Sequence, residues 1–188
     1  MTQPYLRLHT PPQVSFANGP GKRLVLWLQG CTLACPGCFN PATHAAFPAI
    51  AYSPSDWIFD LASFTGDGIT ISGGEPLQQV NELSHFLQLC KDAYELPVLV
   101  FSGYSLHEIE ADPHKRSILK MIDVLVAGRY QNHRTSHAPL LGSLNQTIYF
   151  LSNRIQPYEL TSVPDGELLV MADGSVKVSG IHIPEISS

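Results

Sequence analysis

"RLVLWLQGCTLACPGCFN", Arg23 to Asn40, decides how the rest of the chain is read. Its first half, Arg23 to Gly30, is a nearly continuous apolar run, as a strand buried on both faces of a parallel sheet requires. Its second half packs Cys31, Cys35 and Cys38 within eight positions directly behind that strand. Binding sites of parallel α/β folds gather on loops at the carboxyl ends of strands. The segment therefore predicts an architecture and the place of a site together.

Outward from it, strand-like and helix-like stretches alternate, the signature of an α/β fold with parallel strands. "SPSDWIFDLASF" opens with Ser and Pro in helix-start positions and carries an apolar helical face. "GITISGG" (Gly68 to Gly74) reads as a second strand ending in a glycine pair. A helix follows, with Leu77, Val80, Leu83, Phe86, Leu87 and Cys90 at steps of three and four. "LPVLVFSGY", "DVLVAGRY" and "NQTIYFLSN" predict three more strands, with a helical stretch broken near Pro113 between the first two. The tail differs: two alternating runs flank Asp173-Gly174, a favoured hairpin turn. The fold class read from this order is α/β, a partial (β/α) barrel with a C-terminal β-hairpin covering an edge. Each unusual loop falls at a strand's carboxyl end: the cysteines, "SGGEP", "SGY" and "AGRY".

The bulk properties narrow the function classes. With 188 residues and 44% hydrophobic residues, one domain with a real core is expected. A net charge of −5 argues against a nucleic-acid partner, whose binders usually carry a basic face. The apolar runs fall short of the roughly 18 residues of a membrane span, and "MTQPYLRLHTPPQ" lacks a signal peptide's apolar run. A cytoplasmic, reducing location is the expectation, where clustered cysteines read as metal-binding or catalytic before they read as disulfides.

Three thiolates suit neither a disulfide nor a closed tetrahedral zinc site by themselves. The C-x3-C-x2-C spacing admits a zinc site completed by a histidine such as His44, a redox thiol site, or three irons of a cubane cluster with the fourth left open. "ISGGEP" (Ile71 to Pro76) adds two glycines where a backbone can approach a ligand closely, and a carboxylate, Glu75, suited to a cationic amine.

The pairing of C-x3-C-x2-C with Gly-Gly-Glu-Pro resembles the radical S-adenosylmethionine superfamily. "GCTLACPGCFN" is similar to the activating proteins of anaerobic ribonucleotide reductase, within the glycyl-radical-enzyme activases. "FSGYSLHEI", "DVLVAGRY" and "GSLNQTI" extend the likeness over about residues 14–150, leaving an extension with the hairpin over about 151–188 of a single 1–188 domain. The resemblance implies a [4Fe-4S] cluster held by Cys31, Cys35 and Cys38. It also implies S-adenosylmethionine held by Gly37, Cys38 and Phe39, by Gly73, Gly74 and Glu75, and by Ser102 and Gly103. Reductive cleavage would give a 5′-deoxyadenosyl radical that removes a hydrogen atom from a glycine of a glycyl-radical enzyme. An outside electron donor, a flavodoxin or ferredoxin, would then be needed.

Two other functions fit the same residues. In one, the radical chemistry serves a small molecule or peptide, with Arg129 and the tail shaping a pocket. In the other, the cysteines form a non-catalytic zinc or redox-sensing module and "SGGEP" is only a turn. Cys90, His85 and His107 read as structural or surface residues, Trp27 and Trp57 as core anchors, and Asn145 and Gln146 as partners of the backbone.

Overall fold

A computed structural model describes residues 4–170, 173–174 and 176–181. Its strands are β1 (Leu6–Leu8), β2 (Gln13–Ser15), β3 (Arg23–Leu28), β4 (Ile50–Tyr52), β5 (Gly68–Gly73), β6 (Val98–Ser102), β7 (Val124–Ala127), β8 (Thr147–Phe150), β9 (Gly166–Val170) and β10 (Val176–Gly180). The α-helices are α1 (Pro54–Ser63), α2 (Val80–Ala93), α3 (Leu106–Ala111) and α4 (Pro113–Ile118). Among the described residues one sheet runs in the order β4–β1–β3–β5–β6–β7–β8, with β2 also paired to β3.

The middle of this sheet, β3–β5–β6–β7, is parallel, as the alternation of the sequence predicts. Its flanks are not. β1 and β2 pair antiparallel with β3, β4 with β1, and β8 with β7. A parallel fifth strand would need a crossover helix, but residues 128–146 carry only the short 3-10 turn Asn132–Arg134, so the chain reverses into β8. The three short amino-terminal strands carry too little pattern to be seen beforehand. β4 and β8 stand at opposite ends of the strand order, so the sheet is open.

Side chains alternate across the strands, and the two faces differ. One face receives Leu24, Leu26, Leu28, Ile69, Ile71, Val98, Val100 and Leu125 and packs under the helices. Helix α2 adds Leu83, Phe86, Leu87 and Cys90, each fully buried. Each such aliphatic or aromatic side chain contributes about 1.5–3 kcal/mol relative to exposure. Helix ends follow the sequence: Ser53 donates its backbone N–H to Asp56 Oδ2 at 2.8 Å ahead of Pro54, and Ser105 does the same with Glu108 at 2.8 Å. Asp112 caps α4, accepting from His114 N at 2.9 Å, and the Asp112-Pro113 step separates α3 from α4.

The other face carries Arg23, Val25, Trp27, Thr70 and Ser72 on β3 and β5 and becomes uniformly apolar toward β6 and β7. There Leu99, Val124 and Val126 meet Leu140, Ile155 and Leu160 of the later loops. Arg23 is fully buried, donating to the Ile69 and Pro97 carbonyls and to Thr70 Oγ1, and burial lowers its pKa to about 10. The C-terminal hairpin forms as the sequence indicates, but among the described residues its two strands pair only with each other and join no edge of the large sheet. Glu167 and Ser179 tie it to the segment after β2, accepting from Phe16 N at 2.9 Å and Asn18 Nδ2 at 2.6 Å.

Candidate functional site

The turn Cys35-Pro36-Gly37-Cys38 shapes the cysteine loop. Cys38 N donates to Cys35 O at 3.1 Å, with Pro36 second and Gly37 third at φ +70°, the backbone of a type II turn. The loop is laced to its surroundings by backbone bonds. Gly30 N donates to Thr43 O at 2.7 Å, Cys31 N to His44 O at 3.0 Å, and Glu75 N to Gly30 O at 2.9 Å. Gln78 clamps it from outside, accepting from Thr32 N at 3.1 Å and donating to Thr32 Oγ1 at 2.7 Å. Asn40 N donates to Cys38 Sγ at 3.4 Å, the kind of contact that steadies a thiolate ligand. Burial raises the pKa of the Cys31 and Cys38 thiols.

Cys31, Cys35, Cys38, Phe39, Gly73, Gly74, Glu75, Ser102 and Gly103 all border one small pocket of about 90 Å³. Four loops, after β3, β5, β6 and β7, meet there, as their positions in the sequence predict. Gly37 stands apart, because a Cβ on it would run into the Asn132 side chain. Among the described residues no three His, Cys, Asp or Glu side chains converge at the spacing of ligands to one ion. The thiols thus face a common space without meeting at a point, and a cluster that spreads its thiolates over different irons fits that arrangement.

Glu75 lies at the centre. Its carboxylate is 1% exposed and accepts from Leu77 N at 2.9 Å, Ser102 Oγ at 2.9 Å and Gly103 N at 2.7 Å. Burial nevertheless pushes its pKa up to about 7. A carboxylate offers about four acceptor positions, so three bonds leave one for a ligand's donor. The polar groups of Ser102 and Gly103 are turned to Glu75. A Cβ on Gly73 would strike the backbone of Leu28, and one on Gly74 the Gly30 carbonyl, so both glycines admit the chain's own neighbouring strand and loop.

A second cavity, of about 1030 Å³, opens on the polar face of the sheet. It shares Phe39, Asn40, Thr43, Ser72, Tyr130 and Ile181 with the small pocket, so the two adjoin along a common wall. Phe39, 52% exposed, meets Tyr130 edge to face at this junction, ring centroids 5.0 Å apart. Trp27 lines the large cavity instead of anchoring the core, whereas Trp57 is buried in the core from α1. Arg129 turns away to Glu108, at 2.8 Å, and to the Tyr104 ring, whereas the tail does wall the cavity through Asp165 and Lys177–Ile181.

Asn145 and Gln146 satisfy backbone: Asn145 Nδ2 donates to Arg129 O at 2.7 Å, and Gln146 Oε1 accepts from Gly142 N at 2.9 Å. His85 and His107 are exposed, and Cys90 is a buried thiol whose pKa burial pushes up to about 12. Two glutamines that sequence reasoning passes over hold the site together. Gln29 donates to the Ala42 and Ala45 carbonyls at 3.1 and 2.7 Å. Gln79 accepts from Arg7 N at 2.8 Å and donates to Gln29 O at 3.1 Å. Nothing in their spacing marks them, since only the packed fold brings residues 7, 29 and 79 together.

Residues 17–149 match the 4Fe-4S single cluster domain family. The anaerobic ribonucleoside-triphosphate reductase-activating protein of Pasteurella multocida is 35% identical over 142 residues, spanning 70% of this chain and 89% of that protein. Its counterpart in Enterobacteria phage T4 is 30% identical over 141 residues, 71% of this chain and 87% of the relative. The pyruvate formate-lyase-activating enzyme of Listeria monocytogenes is 39% identical over 100 residues, 50% of this chain and 40% of that enzyme. The match decides between zinc and a cluster: the cofactors are a [4Fe-4S] cluster and S-adenosylmethionine. With the thiol loop, the buried Glu75 and the matched residues in agreement, the chain belongs to the 4Fe-4S single cluster domain family, in the radical S-adenosylmethionine group of glycyl-radical-enzyme activases.

Proposed function

We propose that this chain activates a glycyl-radical enzyme of the anaerobic ribonucleotide reductase class, by removing a hydrogen atom from a glycine of that partner. The cluster and S-adenosylmethionine, when bound, supply a carbon-centred radical through one-electron reductive cleavage. Cys31, Cys35 and Cys38 hold the cluster. The remaining acceptor position of Glu75 takes the amine of the methionine end, with Ser102 and Gly103 fixing the carboxylate's orientation. Phe39, steadied by Tyr130, lies beside the adenine, and Gly37 sets the turn that places Cys38 and Phe39. Gly73 and Gly74, which border the same pocket, hold the methionine end together with Glu75. The chain acts as a single domain over 1–188, with a core over about 14–150 curved as a partial (β/α) barrel of the radical S-adenosylmethionine type. A flavodoxin or ferredoxin donates the electron, and the protein works in the cytoplasm. No helix among the described residues is long and apolar enough to cross a membrane.

The observation that carries this reading is the junction of the two cavities. A thiol-lined pocket shares six lining residues with a neighbouring cavity of about 1030 Å³. The test is anaerobic reconstitution with iron and sulfide, then dithionite, S-adenosylmethionine and an anaerobic ribonucleotide reductase. We expect 5′-deoxyadenosine and a glycyl radical by electron paramagnetic resonance. Formation of 5′-deoxyadenosine with no glycyl radical on any such partner would overturn the choice of substrate.

A second reading has its own support. The tail roofs a 1030 Å³ cavity, within the size range of small-molecule sites, so a small molecule or free peptide is the alternative substrate. Deuterium passing into 5′-deoxyadenosine from a small-molecule pool instead of from a labelled partner glycine would establish it.

A further inference from the structure

The C-terminal hairpin lies beyond the residues matched to the family, yet it walls the large cavity. Asp165 and every residue from Lys177 to Ile181 border that space, whereas no residue of β9 does. Successive side chains of a strand point to opposite faces, so an unbroken run of lining residues means the strand is presented edge-on. The edge is the one away from β9, because β10 pairs with β9 alone among the described strands. A row of backbone donors and acceptors therefore faces the cavity, a ready template for another strand.

The hairpin is also incomplete as a sheet. On one face it sets Val178 opposite Leu168 and Val176 opposite Val170, with exposures of 40%, 60%, 57% and 75%. Its other face is tied down through Glu167 and Ser179. Two strands alone are marginal in water, and among the described residues no third strand joins them.

We propose that β10 is a docking edge: an extended segment of the substrate polypeptide adds to it by main-chain hydrogen bonding and is thereby led to the junction at Phe39 and Tyr130. Main-chain pairing supplies affinity with little demand on side chains, and the cavity accepts alternate side chains from the added strand. The inference rests on the substrate being polypeptide, as proposed above, and names how it is held.

The test uses immobilised, cluster-reconstituted full-length protein with S-adenosylmethionine. It is offered a pool of acetylated octapeptides with a central glycine and randomised flanks. A second pool of the same composition is N-methylated on both edges, so that it cannot pair as a strand. Retention of the first pool at least tenfold above the second, with slowed amide hydrogen exchange over residues 176–180, is the expected result. Equal retention, retention of neither pool, or discrimination without slowed exchange would each overturn the proposal. 5′-Deoxyadenosine and glycyl-radical formation in the same preparations report separately on the activase reading. Their failure beside a discriminating pool would sink that reading and leave the docking edge standing. Their success without discrimination would do the reverse.

Discussion

The same strands build two unlike faces. Under the helices, Leu26, Ile71, Val100 and Leu125 close against Phe86 and Leu87, and every one is fully buried. On the opposite face, moved along by one residue, stand Trp27 and Ser72, and the space before them is hollow. The difference teaches that along β3 and β5 residue parity separates packed core from cavity lining, whereas β6 and β7 bury both of their faces. The helix face holds the sheet together. Its counterpart carries polar and part-exposed side chains at Trp27 and Ser72, where a cavity stands in place of core.

The comparison breaks first at the cysteines. Cys35→Ala should abolish both the cluster and 5′-deoxyadenosine formation while leaving the fold intact, read by iron content, turnover and circular dichroism. Next, Phe86→Ala should cost about 3–5 kcal/mol in urea unfolding, whereas Trp27→Ala, on the cavity side and only partly buried, should cost less and be felt in ligand binding. Similar losses for the two would erase the division between the faces.

Glu75 sharpens it. Its carboxyl is raised from 4.5 to about 7 by burial, so between those values the folded chain holds a proton that the unfolded chain has released. Stability should then fall as pH rises from 4.5 to 7 and level off above. Glu75→Gln should flatten that decline by about 3 kcal/mol across the window, in unfolding of the cluster-free protein. It should also weaken S-adenosylmethionine binding with iron content nearly unchanged. Smallest is Ser179→Ala, which frees the hairpin from Asn18. It should leave the global midpoint almost unmoved, cost about 1 kcal/mol locally, and speed amide exchange over residues 176–180.

The central parallel strands and the four loops at their ends were legible because each signal is local: an apolar run, then a loop of unusual composition. The cysteines and Glu75 could be picked out for the same reason. What stayed hidden is non-local. β1, β2 and β4 have three residues each and gain their identity only by pairing with strands far along the chain. The reversal into β8 turns on the lack of a helix over residues 128–146, which composition does not announce. Trp27 was misread as a core anchor because an aromatic residue in an apolar run looks the same on either face. Gln29 and Gln79 were passed over because a buried amide is recognised by its partners alone.

Those glutamines bear on how the protein can be handled. The cysteine loop hangs on Gln29, which hangs on Gln79, which grips the backbone of Arg7. The amino-terminal strand is thus the far end of a strap around the cysteine loop. Trimming the chain past Arg7 to tidy an expression vector would slacken that strap. An affinity tag is better attached well ahead of Tyr5, on a linker long enough to leave the Arg7–Gln79 pair undisturbed.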